Sequence, residues 1–101
     1  MLKVSRVHNS YMVSFVNLKK FNIIVAQELL EQLEVLVKQK GAVLNLNMEG
    51  IVFIDSAGFE ALLKLHRTAV ANEASVRLLN LSDEAQEVIE LVELDKVVEI
   101  A

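Results

Sequence analysis

The run Asp55-Ser56-Ala57-Gly58 sets a carboxylate beside a hydroxyl and follows them with two small residues. An apolar stretch, Ile51-Val52-Phe53-Ile54, leads into it, and a helical spacing of apolar residues follows. Serine and aspartate are both good helix caps, because a side-chain oxygen accepts from the orphan N–H groups of the first turn. The Ala-Gly pair lets that turn pack closely on a neighbouring strand. The same geometry suits modification. A hydroxyl at a helix start, at the end of a strand, stands exposed at the rim of a sheet. A phosphate placed there meets N–H groups and the positive end of the helix dipole. It also adds about 1.5 to 2 negative charges and real bulk to any surface centred there. Capping and switching are both open readings of these four residues.

Other chemistries lack their residues. A metal site needs clustered ligands, but the chain has two histidines, His8 and His66, and no cysteine. No His pair has helical ligand spacing, so no metal is expected. His66 reads as a partly exposed helix residue. A nucleophile elbow needs glycines on both sides of its serine, and Ile54-Asp55-Ser56-Ala57-Gly58 keeps only the second. The three glycines, Gly41, Gly50 and Gly58, are too scattered for a phosphate-cradling loop. The acidic residues Asp83, Glu84, Glu87, Glu90 and Glu93 read as the solvated face of a helix. The expectation is a chain without catalytic residues and without a cofactor.

Composition points the same way. The 101 residues suit one domain spanning 1–101, and 53% hydrophobic with 24% charged residues is globular. A net charge of −4, with no basic tail, speaks against nucleic-acid binding. Apolar runs reach four residues, as at Ile23 to Ala26, far short of the roughly 18 to 20 that span a bilayer. Met1-Leu2-Lys3-Val4-Ser5-Arg6 does not read as a signal peptide. A cytoplasmic protein without direct membrane insertion is expected.

The elements that must position the Asp55-Ser56 junction follow from periodicity. Lys3 to Val7 and Tyr11 to Val16 read as an opening β-hairpin turning at His8-Asn9-Ser10. From Ala26, apolar residues at 26, 29, 30, 33, 36 and 37 predict a helix, with Lys38 and Lys40 in its last turn and Gly41 as its stop. Ala42 to Asn47 predicts a strand, Met48-Glu49-Gly50 a turn, and Ile51 to Ile54 a second extended piece. Gly58, Ala61, Leu62, Leu65 and Ala69 give the next helix, ending at Asn72 or Glu73. Val76 to Leu79 is a strand. Ser82 caps a third helix with a stripe of Ala85, Val88, Ile89 and Val92. Val97 to Ile100 is a last strand. Strand and helix alternate after the hairpin, which predicts an α/β fold: a mixed sheet with helices packed on it.

In this element order, Val43-Leu44-Asn45-Leu46, Val52-Phe53-Ile54-Asp55-Ser56-Ala57-Gly58-Phe59 and Val76-Arg77-Leu78-Leu79-Asn80-Leu81-Ser82 resemble the STAS domain. The likeness is to the bacterial anti-sigma factor antagonists and covers nearly the whole chain. It implies a STAS-like mixed sheet and a non-enzymatic switch. Such antagonists bind an anti-sigma factor, usually a serine kinase of the GHKL type, and so release a sigma factor. The kinase phosphorylates the serine after the aspartate, and a serine phosphatase restores it. Carried over, Ser56 is the phosphoacceptor, Asp55 orients the site and contacts the partner, and Ala57 and Gly58 permit close approach.

Two departures from the family pattern stand out. Where the family has Gly-Glu-Leu-Asp before the first helix, this chain has Lys19-Lys20-Phe21-Asn22. Asn22 keeps the shape of the aspartate on that partner-binding loop and loses its charge. Ala57 replaces the commoner Ser or Thr after the phosphoacceptor. Ala57 also fits a second class that the resemblance implies, the cytosolic STAS subunit of phospholipid-transport ABC systems, which binds its ATPase. No motif supports a third class, a small-ligand-binding STAS domain.

Overall fold

The β-branched and aromatic residues at the N-terminus pair with one another. In a computed structural model, which describes residues 1–101, β1 (Leu2–Val7) and β2 (Ser10–Phe15) form an antiparallel hairpin. Leu2 lies opposite Phe15 and Val7 opposite Ser10, with His8 turning the chain at φ 54°. β1 is an edge strand with no buried residue, which explains its weak alternation: both its valines, Val4 and Val7, are exposed. Past the hairpin come β3 (Lys20–Phe21), α1 (Ile23–Glu34) with a 3-10 turn at Val35–Val37, and β4 (Val43–Asn47). Then follow β5 (Phe53–Ile54), α2 (Ser56–Ala71), β6 (Ser75–Leu79), α3 (Asp83–Leu91), a 3-10 turn at Leu94–Lys96 and β7 (Glu99–Ile100).

Five strands form one mixed sheet in the order β1-β2-β4-β6-β7, antiparallel at the hairpin and parallel thereafter. This is the α/β architecture that the sequence predicts. The crossovers through α1, α2 and α3 all step in the same direction along the sheet. Right-handed crossovers of that kind place all three helices on one face. Burial agrees: Val13, Leu44, Leu46 and Leu78 on that face are fully buried, as are Leu29 and Leu33 of α1 and Leu62 and Leu65 of α2. Each such side chain contributes about 1.5 to 3 kcal/mol by leaving water. The other face is more polar. Its central residue, Asn45, is buried and donates to Tyr11 O at 3.0 Å and Ser10 Oγ at 3.2 Å. It accepts from Arg77 Nη1 at 3.3 Å, so one amide joins β2, β4 and β6. Arg77 Nε also lies 2.5 Å from Glu99 on β7, although misaligned for a hydrogen bond.

β3 is an element the sequence reading leaves as loop. It pairs in parallel with β5, Lys20 opposite Phe53 and Phe21 opposite Ile54, as a separate two-stranded ribbon. Two residues are too few for a period to register. The ribbon follows the C-terminal ends of β2 and β4, so it marks the same sheet edge at which α1 and α2 begin. In open α/β sheets, ligands and partners meet this edge.

Helix α1 also differs from expectation. It starts at Ile23, not Ala26, because Asn22 caps it there; Ile23 and Ile24 are exposed and so add nothing to the buried stripe. Its α-helical part ends at Glu34, before Lys38 and Lys40. Gly41, at φ 82°, instead turns the chain into β4 and donates to Glu73 O at 2.9 Å, beside the end of α2. In α3 only Ala85 and Ile89 of the expected stripe are buried, while Val88 and Val92 are exposed. Glu93 lies beyond the helix and pairs with Lys96 at 3.1 Å.

Gly58 fixes how closely the ribbon approaches α2. A Cβ there would collide with the backbone oxygen of Phe21, and would lie 2.7 Å from the Phe21 ring and 2.8 Å from Ile54. Within a helix, Gly to Ala ordinarily stabilises by about 0.5 to 1 kcal/mol. Here the sign should reverse. Gly58→Ala is expected to lower unfolding free energy by about 1 to 3 kcal/mol, the usual range for overpacking. Urea denaturation checks this; a raised midpoint would mean that β3 moves aside freely.

Candidate functional site

The sequence leaves open whether Asp55 or Ser56 caps α2. The cap is Asp55, in extended conformation at φ −91° and ψ −177°, and Ser56 is the first helical residue. Asp55 Oδ1 accepts from Gly58 N at 2.9 Å. Its other oxygen accepts from Ile23 N, in the first turn of α1, at 3.0 Å. The Asp55 backbone N–H donates to Phe21 O at 3.3 Å, and its carbonyl accepts from Phe59 N at 3.0 Å. One carboxylate thus satisfies orphan donors of two helices, and both positive dipole ends favour its charge.

Asn22 caps α1, its Oδ1 accepting from Ile24 N at 3.2 Å. That duty needs a single acceptor, which an amide has. Asp55 needs two, which an amide lacks. The uncharged residue at position 22 therefore still caps its helix, while position 55 requires a carboxylate.

Ser56 is exposed, and its hydroxyl has no hydrogen-bond partner in the fold. The hydroxyl does stand beside the N–H groups of Ser56 and Ala57, first-turn donors that Asp55 does not occupy. Ala57 is half-buried and lines a groove between α1 and α2 with Ile23, Ala26 and Leu30. Gly58 is buried under the ribbon. The five expected site residues, Asn22, Asp55, Ser56, Ala57 and Gly58, thus lie at the adjoining starts of two helices. At its far end α1 is tied to α2 again, where Thr68 Oγ1 donates to Glu34 at 2.7 Å.

Exposed apolar residues missed by sequence reasoning flank these helix starts, at the first turn of α1 and on the ribbon. Ile23 and Ile24 are 74% and 83% exposed, and Val52 and Phe53 on the ribbon are 54% and 50% exposed. The signal was present in the apolar run from Ile23 to Ala26, whose first two members fall outside the stripe of 26, 29, 30 and 33.

The double role of Asp55 makes a graded prediction. Asp55→Ala, which leaves two N–H groups without acceptors, is expected to lose about 1 to 3 kcal/mol of stability. Asp55→Asn keeps one acceptor and should lose clearly less. Chemical denaturation measures both, and amide exchange at Ile23 and Gly58 should accelerate in the alanine variant. An alanine variant as stable as the parent would refute the two-helix clamp.

Comparisons with known proteins agree with this architecture. A structure of an anti-sigma-factor antagonist (STAS) domain protein from Planctomyces limnophilus superposes with a TM-score of 0.87 at 14% identity, covering 99% of this chain and 87% of that one. An anti-sigma factor antagonist from Mycobacterium paratuberculosis gives 0.81 at 16% identity, covering 99% and 83%. The phosphorylated form of SpoIIAA, a Bacillus cell fate determinant, gives 0.72 at 16% identity, covering 100% and 91%. At these identities the likeness is one of fold. No curated protein sequence matches. The STAS domain profile, however, matches residues 13–101, nearly nine-tenths of the sequence, and the chain belongs to the STAS domain family.

Proposed function

We propose that this chain is an anti-sigma factor antagonist: a non-enzymatic docking domain that binds an anti-sigma factor and is switched off by phosphorylation of Ser56. The observation that carries the reading is an exposed, unpartnered hydroxyl at the first position of α2, beside the Asp55 clamp and the exposed Ile23, Ile24 and Phe53. Support also comes from the fold likeness to SpoIIAA, a protein known in a phosphorylated form.

The partner is an anti-sigma factor of the GHKL serine-kinase type. In the proposed cycle it docks over Asn22, Asp55, Ser56, Ala57 and Gly58 and gives up its sigma factor. Its own base takes the Ser56 proton, the oxygen attacks the γ-phosphorus of ATP, and ADP leaves. The phosphate lies at the α2 N-terminus, where the dipole and two free N–H groups favour it. It also brings about 1.5 to 2 negative charges and bulk onto an apolar contact surface, so binding is lost while the fold stands. A serine phosphatase hydrolyses the ester and restores docking.

Incubation with GHKL-type kinases of the same genome and ATP should add one phosphate, mapped by mass spectrometry to Ser56. Modification elsewhere, or none with any of them, sinks the reading. Recovery of an ABC-system ATPase as the partner, with Ser56 unmodified, would favour the transport-associated class that also fits Ala57.

The surface logic of the switch has its own check. Ser56→Asp should lose kinase binding and keep its thermal midpoint within a few degrees, because a negative charge at a helix start is not unfavourable. Ser56→Ala should bind and resist modification. Calorimetric titration decides, and an aspartate variant that binds as tightly as the parent contradicts the mechanism.

A further inference from the structure

The departure at Lys19-Lys20 acquires a location in the fold. Lys20 lies on β3 directly opposite Phe53, and both are exposed, whereas their neighbours Phe21 and Ile54 are buried. The Lys19 carbonyl accepts from Val52 N at 2.8 Å and Phe53 N at 3.3 Å, so both lysines are fixed to the ribbon. Lys19, Lys20, Leu18, Asn22 and Ile24 line one open concavity beside the start of α1. Neither lysine has a carboxylate within 4.0 Å, although the chain as a whole carries a net charge of −4. Two unneutralised cations therefore border the exposed Ile24 and Phe53.

Charge is distributed unequally across the site. On the far side of Phe53, a small recess is shared with Glu84 and Val88, at the start of the acidic helix α3. Across the ribbon the surface thus runs from basic at Lys19 and Lys20, through the apolar Phe53, to acidic at Glu84.

We propose that the partner docks through an acidic face, with carboxylates against Lys19 and Lys20 and apolar side chains against Ile24 and Phe53. The proposal rests on the reading of this surface as the antagonist's docking site, and it names the chemistry and orientation of what docks. The charge gradient excludes the reversed pose, which would bring the partner's acidic edge onto Glu84. Opposite charges at an interface rim raise the association rate and select among partners. An anionic membrane fits less well, because two lysines attract it weakly and the remaining net negative charge repels it.

The test titrates the purified chain by calorimetry with each GHKL-type kinase of the same genome, at about 50 and about 500 mM salt. The double variant Lys19→Glu with Lys20→Glu should bind about tenfold or more weakly, and the parent should weaken at high salt. Both positions are exposed, and an unchanged thermal midpoint would confirm that the variant folds. Replacing the facing partner carboxylates by lysine should restore binding to the double variant and weaken binding to the parent.

Three results would overturn the proposal. Equal affinity of parent and double variant at both salts removes the acidic partner and leaves the antagonist reading intact. Failure of every kinase to bind the parent at either salt removes the antagonist reading and the inference with it. Lysine-dependent binding to phosphatidylserine vesicles, without any to a kinase, would assign the patch to a membrane surface instead.

Discussion

The Asp55 carboxylate accepts a hydrogen bond from the first turn of α1 and another from the first turn of α2. Those helices leave the sheet after different strands, and the carboxylate joins the β3–β5 ribbon and the Gly58 contact in holding their starts in register. Both oxygens are used inward, so the carboxylate holds in place the surface proposed for docking, of which it is itself part. Its influence on docking runs through position: it sets where the Ser56 hydroxyl stands relative to Ile23 and Ile24. The surface proposed for the partner is therefore assembled from two helices and a ribbon, and its shape depends on one charged group.

The residues that this clamp organises divide cleanly by role. Asn22, Asp55 and Gly58 build the backbone geometry; Ser56, Ile24, Phe53 and the two lysines face outward. The loss of charge at position 22 is tolerated by the fold because one acceptor caps α1. The gain of charge at Lys19 and Lys20 does nothing for the fold, since neither side chain pairs within it. Under the proposal, substitutions of the second kind would alter recognition without altering stability.

Much of the fold was legible in the sequence, for reasons that can be stated. The α2 stripe from Gly58 to Ala69 and the strand at 75–79 have strong periods because one face of each is buried, and the strand at 43–47 alternates because its second face takes the hydrogen-bonded Asn45. Ser82 was readable as a cap, and it accepts from Ala85 N at 3.1 Å. The misses fall where a period has no burial behind it. β3 is two residues long, β1 buries nothing, and α1 begins with two isoleucines that serve no core. The candidate site was legible as a motif and an element order. Its clamp was not, because the Asp55–Ile23 bond joins residues 32 apart and leaves no local pattern.

Gly58 leaves no space for even a methyl group between α2 and the ribbon. A helix start wedged in this way has no slack along which to slide or tilt toward β3. The phosphate proposed at Ser56 would thus be confined to the exterior, carried as a label and not relayed as a movement. Whatever reads the label must touch it, so the information it holds is available only at contact range and only to a surface already shaped for this edge of the sheet.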